Sequence, residues 1–267
     1  MPKIPAEQRK PRRPASNAQG EAARVQLLDA AEALFADHGY FGVSVRDITD
    51  RAGLRLAAVN YHFESKEGLF AKVLERRASM LNDGRRACLK AGLDQLRGQP
   101  ADPRAHVRAV VRAFYLPLLE YHQSGDEGWR SYGRLISHVA VSRLWIRSHV
   151  SPLYDEVCGE FMNELLALAP KADRRKALHC IQFMIALQLY VFADNYREET
   201  LSQGSFTSGD LAPIAESMED FCVDGIMRLL ALDPDARTVP YMLSGGTDAK
   251  AFARIGIRCF GFAPLQL

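Results

Sequence analysis

The chain of 267 residues has no strong charge of either sign: 34 lysines and arginines stand against 32 aspartates and glutamates, a formal net charge of +2. Bulk charge therefore argues neither for nor against a polyanionic partner, and its distribution must decide. Cysteine is sparse and scattered. Cys88, Cys158, Cys180, Cys222 and Cys259 are odd in number, with no Cys-x-x-Cys pair and no cysteine-histidine zinc spacing. That pattern argues against a disulfide framework and for reduced thiols packed in helices, as in the cytoplasm. Long apolar runs are also missing. The longest, Ile181 to Ala193, contains Gln182 and Gln188 and is too short to span a bilayer. The N-terminus places charges and prolines where a secretory signal needs an apolar stretch, so a cytoplasmic protein without a membrane partner is expected.

Signatures of catalysis are absent too. None of the seven histidines has another three or four residues away, and no His-x-Asp, His-Glu-x-x-His or Gly-x-Ser-x-Gly motif occurs. Ser244-Gly245-Gly246-Thr247 lacks the lysine of a phosphate-binding loop. The expectation is a protein that is not an enzyme and carries no cofactor or metal. With 48% hydrophobic and 25% charged residues the composition is that of an ordinary folded protein, long enough for a large core and two domains.

What the sequence does contain is concentrated between Ser44 and Phe63. Ser44 followed by Val45-Arg46-Asp47 is a capping box, a hydroxyl and a carboxylate three residues apart that start a helix. Ile48 and Ala52 share one face of that helix, and Gly53 can adopt the left-handed conformation that ends it. A second short helix, Leu56 to Phe63, follows at once, with Leu56, Val59 and Phe63 as its apolar stripe. Two short helices joined by a tight glycine turn form a helix-turn-helix, whose second helix enters the major groove. On its outward face Ala57 and Ala58 permit close approach, while Arg55, Asn60, Tyr61 and His62 offer donors to phosphates and base edges. Ser44 and Arg46, at the start of the first helix, complete the expected DNA-facing set. A structural helical corner with a solvated polar face is the alternative.

The surrounding residues narrow the choice. Gly39-Tyr40, Val43-Ser44, Ile48, Ala52-Gly53, Tyr61-His62-Phe63 and Ser65-Lys66-Glu67 with Leu69 resemble the N-terminal domain of the TetR family of bacterial transcriptional regulators. The resemblance implies a dimer on a double-stranded DNA operator, release by a small-molecule effector, and a phosphate contact from Lys66. Two positions depart from the pattern: Ala57 replaces a frequent glycine and Asn60 a frequent tyrosine, which alters base preference and not class.

Around this centre the expected fold is all-α, an N-terminal three-helix helix-turn-helix domain joined by a connecting helix to a helical ligand-binding and dimerisation domain. Residues 1–20, rich in proline, lysine and arginine, are expected to be a disordered basic arm, and residues 21–68 the reader, opened by a helix from Ala22 to His38. Phe41, Val43, Ile48, Leu54, Val59, Phe63, Leu69 and Phe70 should form its core. Residues 69–232 carry helices only, including one expected from Trp129 to Arg147. Ala177 to Ala193 is apolar nearly all round, and the helix from Leu211 to Leu229 has a wide stripe. That surplus suggests a two-fold four-helix interface built from Ile181, Met184, Gln188, Ile214, Met218, Phe221, Cys222 and Gly225, in agreement with the resemblance; one crowded monomer core is the alternative.

Between these elements the chain is aromatic. Phe114, Tyr115, Leu118, Trp129, Tyr132, Ile136, Tyr154, Phe161, Phe183 and Leu187 are candidates for an effector pocket, although such spacing also suits a plain core. The C-terminal half resembles the PsrA-like branch of the family, which implies a fatty-acid or acyl-CoA effector. The closing residues 233–267 fit neither domain. Gly245-Gly246-Thr247-Asp248-Ala249 and Gly261-Phe262 resemble a segment of the zinc metallopeptidases related to aminoacylase and carboxypeptidases, with Arg258 where proline is usual. The scarcity of paired histidines speaks against a working hydrolase.

Overall fold

The structure is a computed structural model that describes residues 14–232. Residues 1–13 of the basic arm and the metallopeptidase-like stretch from residue 233 onward lie outside the described residues. Within them the chain is helical, without a strand.

Helix α1 (Pro14–His38) is longer than its apolar pattern suggests. Residues 14–20, expected as part of the disordered arm, are its first turns, because Ala15, Ala18, Gln19 and the alanines that follow are strong helix formers. The chain turns at Gly39, in the left-handed region with φ 68°, and enters α2 (Val45–Ala52) and α3 (Ala57–Phe63). Leu27, Ala31 and Phe35 of α1 close over Ile48, Val59 and Phe63, all buried. At about 1.5–3 kcal/mol per large apolar side chain, this small core holds the two short helices, which could not persist alone. Phe41 is not in that core: it is exposed and lies against Trp145.

Helix α4 (Lys66–Leu96) begins beside α3, capped by Ser65, whose Oγ accepts from the Gly68 N–H at 3.0 Å. Its 31 residues run from the reader into the second domain as the expected connecting rod. Leu69, Phe70, Val73 and Leu74 belong to the reader's core, while Leu89, a few turns on, belongs to a second core. The second domain adds α5 (Pro103–Gln123), α6 (Glu127–Val139), α7 (Ser151–Leu168), α8 (Arg174–Val191), the short α9 (Arg197–Leu201) and α10 (Leu211–Leu229). Helix α6 stops at Val139 and does not continue to Arg147; a turn and a π-helical stretch, Ile146–Val150, fill the interval. Pro152 lies in the first turn of α7, where its missing N–H costs nothing.

An ionic knot ties α1, α4 and α6 together at the edge of the first core. Arg77 of α4 donates to both carboxylate oxygens of Glu32 on α1, at 2.9 and 2.8 Å, and to Asp126, the N-cap of α6, at 2.8 Å. Arg76 reaches Glu32 and Asp29. Gly128 makes the approach possible, because a Cβ there would fall 1.8 Å from an Arg77 nitrogen.

Candidate nucleic-acid interface

The reader is built by local chemistry. Ser44 Oγ accepts from the Asp47 N–H at 3.1 Å and the Ser44 N–H donates to Asp47 Oδ2 at 2.7 Å, so the capping box is complete. These bonds hold the Asp47 carboxyl below its ordinary pKa. Gly53, at φ 66°, ends α2, and the Leu54 N–H returns to the Thr49 carbonyl at 2.9 Å. The exit from α3 is equally constrained. Glu64 takes a left-handed φ of 67°, and Gly68 sits so close that a Cβ would lie 2.2 Å from the Phe63 carbonyl oxygen. The direction of α3 is thereby tied to the first turn of α4.

Of the expected DNA-facing residues, Arg46, Arg55, Ala57, Asn60 and Tyr61 are exposed, with Tyr61 78% accessible. Ala57, Asn60 and Tyr61 lie on one face of α3 by their spacing, and Arg55 stands just before it. Arg46 is held loosely by Asp50 at 3.6 Å. Ser44 is exposed, but its side chain serves the cap. His62 is half-buried, its ring against the edge of Tyr61 at 4.8 Å.

Two expected contacts are placed differently. Ala58 is half-buried and packs on the reader's core, leaving Ala57 as the outward small residue. Lys66 turns inward, where its Nζ donates to the Tyr40 carbonyl at 2.5 Å and lies 4.1 Å from the centre of the Tyr40 ring. Partial burial lowers its pKa. Lys66 thus ties the start of α4 to the turn after α1 with one of its three N–H donors.

One exposed residue was misplaced by periodicity. Leu56 shares the 3-4 spacing of Val59 and Phe63, yet it is 57% exposed. It occupies the N-cap of α3, just outside the first turn, where nothing in the three-helix core reaches over it. An apolar side chain beside Arg55 and Ala57 suits a thymine methyl in the major groove. The start of α3 one residue later than the apolar stripe is the signal that separates it from the core.

The aromatic and apolar residues expected to line a pocket are divided between the two cores, Leu118, Trp129, Tyr132 and Ile136 with the reader and Phe114, Tyr115 and Phe161 in the second. Phe114, Tyr115, Leu118, Trp129, Tyr132, Ile136 and Phe161 are buried, and Tyr154 and Leu187 are half-buried. They pack on one another: Phe114 meets Phe161 edge-on at 5.4 Å, and the Tyr132 and Tyr154 hydroxyls touch. Phe183 departs from the expectation, being 54% exposed on the outer face of α8. Two clefts on the described surface are lined mainly by charged and polar residues. One of about 420 Å³ lies along the ionic knot between α1, α4 and α6, and one of about 210 Å³ lies between α4 and the start of α7.

The expected dimer residues divide in the same way. Ile181, Met184, Gln188, Met218 and Cys222 are buried within the subunit, so they hold α8 and α10 against α5 and α7 and do not face a partner. Ile214 and Gly225 are half-buried. Phe221 is 61% exposed, and Leu178, Phe183 and Tyr190 are exposed apolar residues of α8. The apolar surplus was legible; which half of it the subunit uses for itself was not.

Among the described residues no group of three or more histidine, cysteine, aspartate or glutamate side chains is placed to hold a metal ion. No described helix is long and apolar enough to cross a membrane.

A three-helix reader with an exposed second helix, fixed to a long rod and a helical core, defines a helix-turn-helix regulator of transcription. The family model of the bacterial regulatory proteins, tetR family, matches residues 27–73, and that of the tetracyclin repressor-like C-terminal domain matches residues 112–225. The chain belongs to the TetR family. Neither match extends into the metallopeptidase-like stretch. The HTH-type transcriptional repressor AcnR of Corynebacterium diphtheriae is 27% identical over 53% of this chain and 74% of its own length. The HTH-type transcriptional activator FasR of Mycolicibacterium smegmatis is 34% identical over 47% of this chain, which spans about half (54%) of that protein. A solved TetR family regulator from Marinobacter aquaeolei VT8 shares the fold with a TM-score of 0.54 at 17% identity, covering 78% of this chain and 97% of that one.

Proposed function

We propose that the chain acts in the cytoplasm as a homodimeric, non-enzymatic repressor that reads a palindromic operator with α3 and leaves it when a small apolar effector binds the second domain. The observation that carries this reading is the exposed face of Arg55, Leu56, Ala57, Asn60 and Tyr61 on a helix whose every other side is anchored. Asn60 fits an adenine edge, Leu56 and Ala57 a thymine methyl, and Arg55 and Tyr61 the phosphates on either side. Lys66 acts from behind, setting the pose of α4 against α1.

The dimer supplies the spacing. The exposed faces of α8 and α10 around Phe183, Tyr190 and Phe221 meet their own copies in a four-helix arrangement. Adjacent half-sites then require the two α3 helices roughly 34–36 Å apart. A ligand favouring a different separation lowers operator affinity by its preference, on the order of 1–3 kcal/mol in allosteric proteins.

Two connections lead from the second domain to the reader. One is the Glu32–Arg77–Asp126 knot. The other is the π-helical stretch after α6, where Trp145 packs on Tyr40, Phe41 and Phe70, and His149 on Phe70. Movement of α6 or α7 therefore reaches both α1 and the start of α4. The test is retention of operator fragments by the full chain, followed by release with fatty acids, acyl-CoAs and aromatic acids. Operator affinity unchanged by every ligand that binds contradicts the effector half of the reading.

A further inference from the structure

Helix α4 carries four arginines toward its neighbours, and Arg76 meets Glu32 and Asp29. Arg77 and Arg86 each meet a carboxylate, Arg77 at Glu32 and Asp126, Arg86 at Glu160. Arg85 does not. It is 2% exposed, and among the described residues no aspartate or glutamate pairs with it. Its Nε donates to the Phe114 carbonyl at 3.1 Å and its Nη2 to Gln188 Oε1 at 2.7 Å, while the guanidinium lies 4.1 Å from the centre of the Phe114 ring. These neutral partners soften the loss of water without supplying a countercharge. Burying an uncompensated cation is unfavourable, and a methionine of similar length fills such a volume without that penalty.

The groups around it share this incompleteness. Asn82, one turn earlier on the same face of α4, gives its amide to the Leu153 carbonyl at 2.7 Å and leaves a buried Oδ1 without a partner. Tyr132 and Tyr154 bring their hydroxyls together close to the arginine, with Tyr154 5.9 Å away by its ring. Burial pushes both phenols up, Tyr154 to about 12, so they remain neutral donors and neither balances the guanidinium. Phe114, Leu118 and Phe161 supply an apolar wall.

We propose that Arg85 anchors the carboxylate of an amphipathic organic acid, with the Tyr132 and Tyr154 hydroxyls as further donors and the acid's apolar body against the aromatic wall. This rests on the ligand-responsive reading above and adds the buried residue that holds a free acid group. The carboxylate takes the place of Gln188 Oε1 on the guanidinium fork, whose planar pair of N–H groups matches it. A single cation among neutral donors suits a monoanion; a phosphate dianion would remain half uncompensated. Entry between the two tyrosines displaces Tyr154, which stands just beyond the π-helical stretch that packs on the reader.

The test uses the full chain and titration calorimetry with octanoate, dodecanoate, hexadecanoate and 4-phenylbutyrate, each against the alcohol of the same skeleton. At least one acid is expected to bind saturably, about tenfold or more tighter than its alcohol. Arg85→Met is expected to lose that difference while keeping its affinity for the alcohol. Tyr154→Phe, which preserves packing, weakens the acid severalfold and serves if Arg85→Met does not fold. Equal affinity for acid and alcohol, full acid affinity in Arg85→Met, or no binding of any of the four acids overturns the proposal. Operator binding by the same preparation is read separately: acids that do not bind, on protein that still holds its operator, overturn the carboxylate anchor and leave the DNA-binding reading standing.

Discussion

Arg77 Nε and Nη2 meet the two carboxylate oxygens of Glu32 at 2.9 and 2.8 Å, joining α1 of the reader to the connecting helix α4. Both side chains are buried, and hydrogen bonds to Glu32 and Asp126 raise the Arg77 pKa against the opposing effect of burial. Removing Glu32 leaves Arg77 with Asp126 alone, and removing Arg77 leaves Glu32 with Arg76 alone. Glu32→Gln or Arg77→Met alone is expected to cost about 3–5 kcal/mol in urea unfolding. The double variant Glu32→Gln/Arg77→Met should cost less than the sum of the two single losses. Additive losses in the double-mutant cycle would show that the pair acts only through packing.

Gly68 tests the rigidity of the reader. Because a Cβ at this position meets the Phe63 carbonyl at 2.2 Å, Gly68→Ala must tilt α3 away from α4. The expected result is a fall in operator affinity of tenfold or more, with near-native circular dichroism and a stability loss of roughly 1–3 kcal/mol. Unaltered operator affinity in a folded Gly68→Ala protein contradicts the fixed pose of α3.

The capping box gives the reader an acid-side dependence. Asp47 has a folded pKa below its unfolded value, owing to its hydrogen bonds with Ser44. Its contribution is therefore fully present above the unfolded carboxylate pKa and disappears as pH falls through the lower folded value. Ser44→Ala should be less stable than wild type at neutral pH, and the gap should narrow in acid. A gap independent of pH would assign the effect to the hydroxyl alone.

Much of this was legible in the sequence because it is local. A serine, an aspartate three residues on and a glycine six beyond that specify α2 without reference to anything distant, and Ser65 does the same for α4. What could not be read is what each apolar face packs against. Leu56 and Phe41 have core-like spacing but lie beyond the edge of the three-helix core, and Met184 and Cys222 are claimed by α5 and α7 before any partner subunit. Lys66 reads as a surface cation in the first turn of a helix, yet the tertiary position of Tyr40 draws it inward. Arg85 carries no mark in the sequence, because the absence of a carboxylate appears only when five helices close around it.

The proposed dimer predicts that Phe221 and Phe183, exposed on α10 and α8, are sensitive to substitution. Phe221→Glu is expected to weaken self-association by about 2–4 kcal/mol in sedimentation equilibrium, with the monomer still helical. Met184→Ala, by contrast, should lower stability by roughly 2–5 kcal/mol while leaving the association of the folded protein near wild type. The reverse assignment of effects would place the interface on the other face of these helices.

The most direct test of the account is selection of genomic fragments on the full chain at physiological salt, run in parallel for wild type, Asn60→Ala and Tyr61→Ala. Wild type should retain fragments sharing an inverted repeat with half-sites one helical turn, or a multiple, apart. Asn60→Ala should retain a repeat altered at one position in each half-site, and Tyr61→Ala the same repeat more weakly. Fragments without a common repeat, or the same enrichment with both variants as with wild type, would contradict the assignment of α3 as the helix that reads DNA.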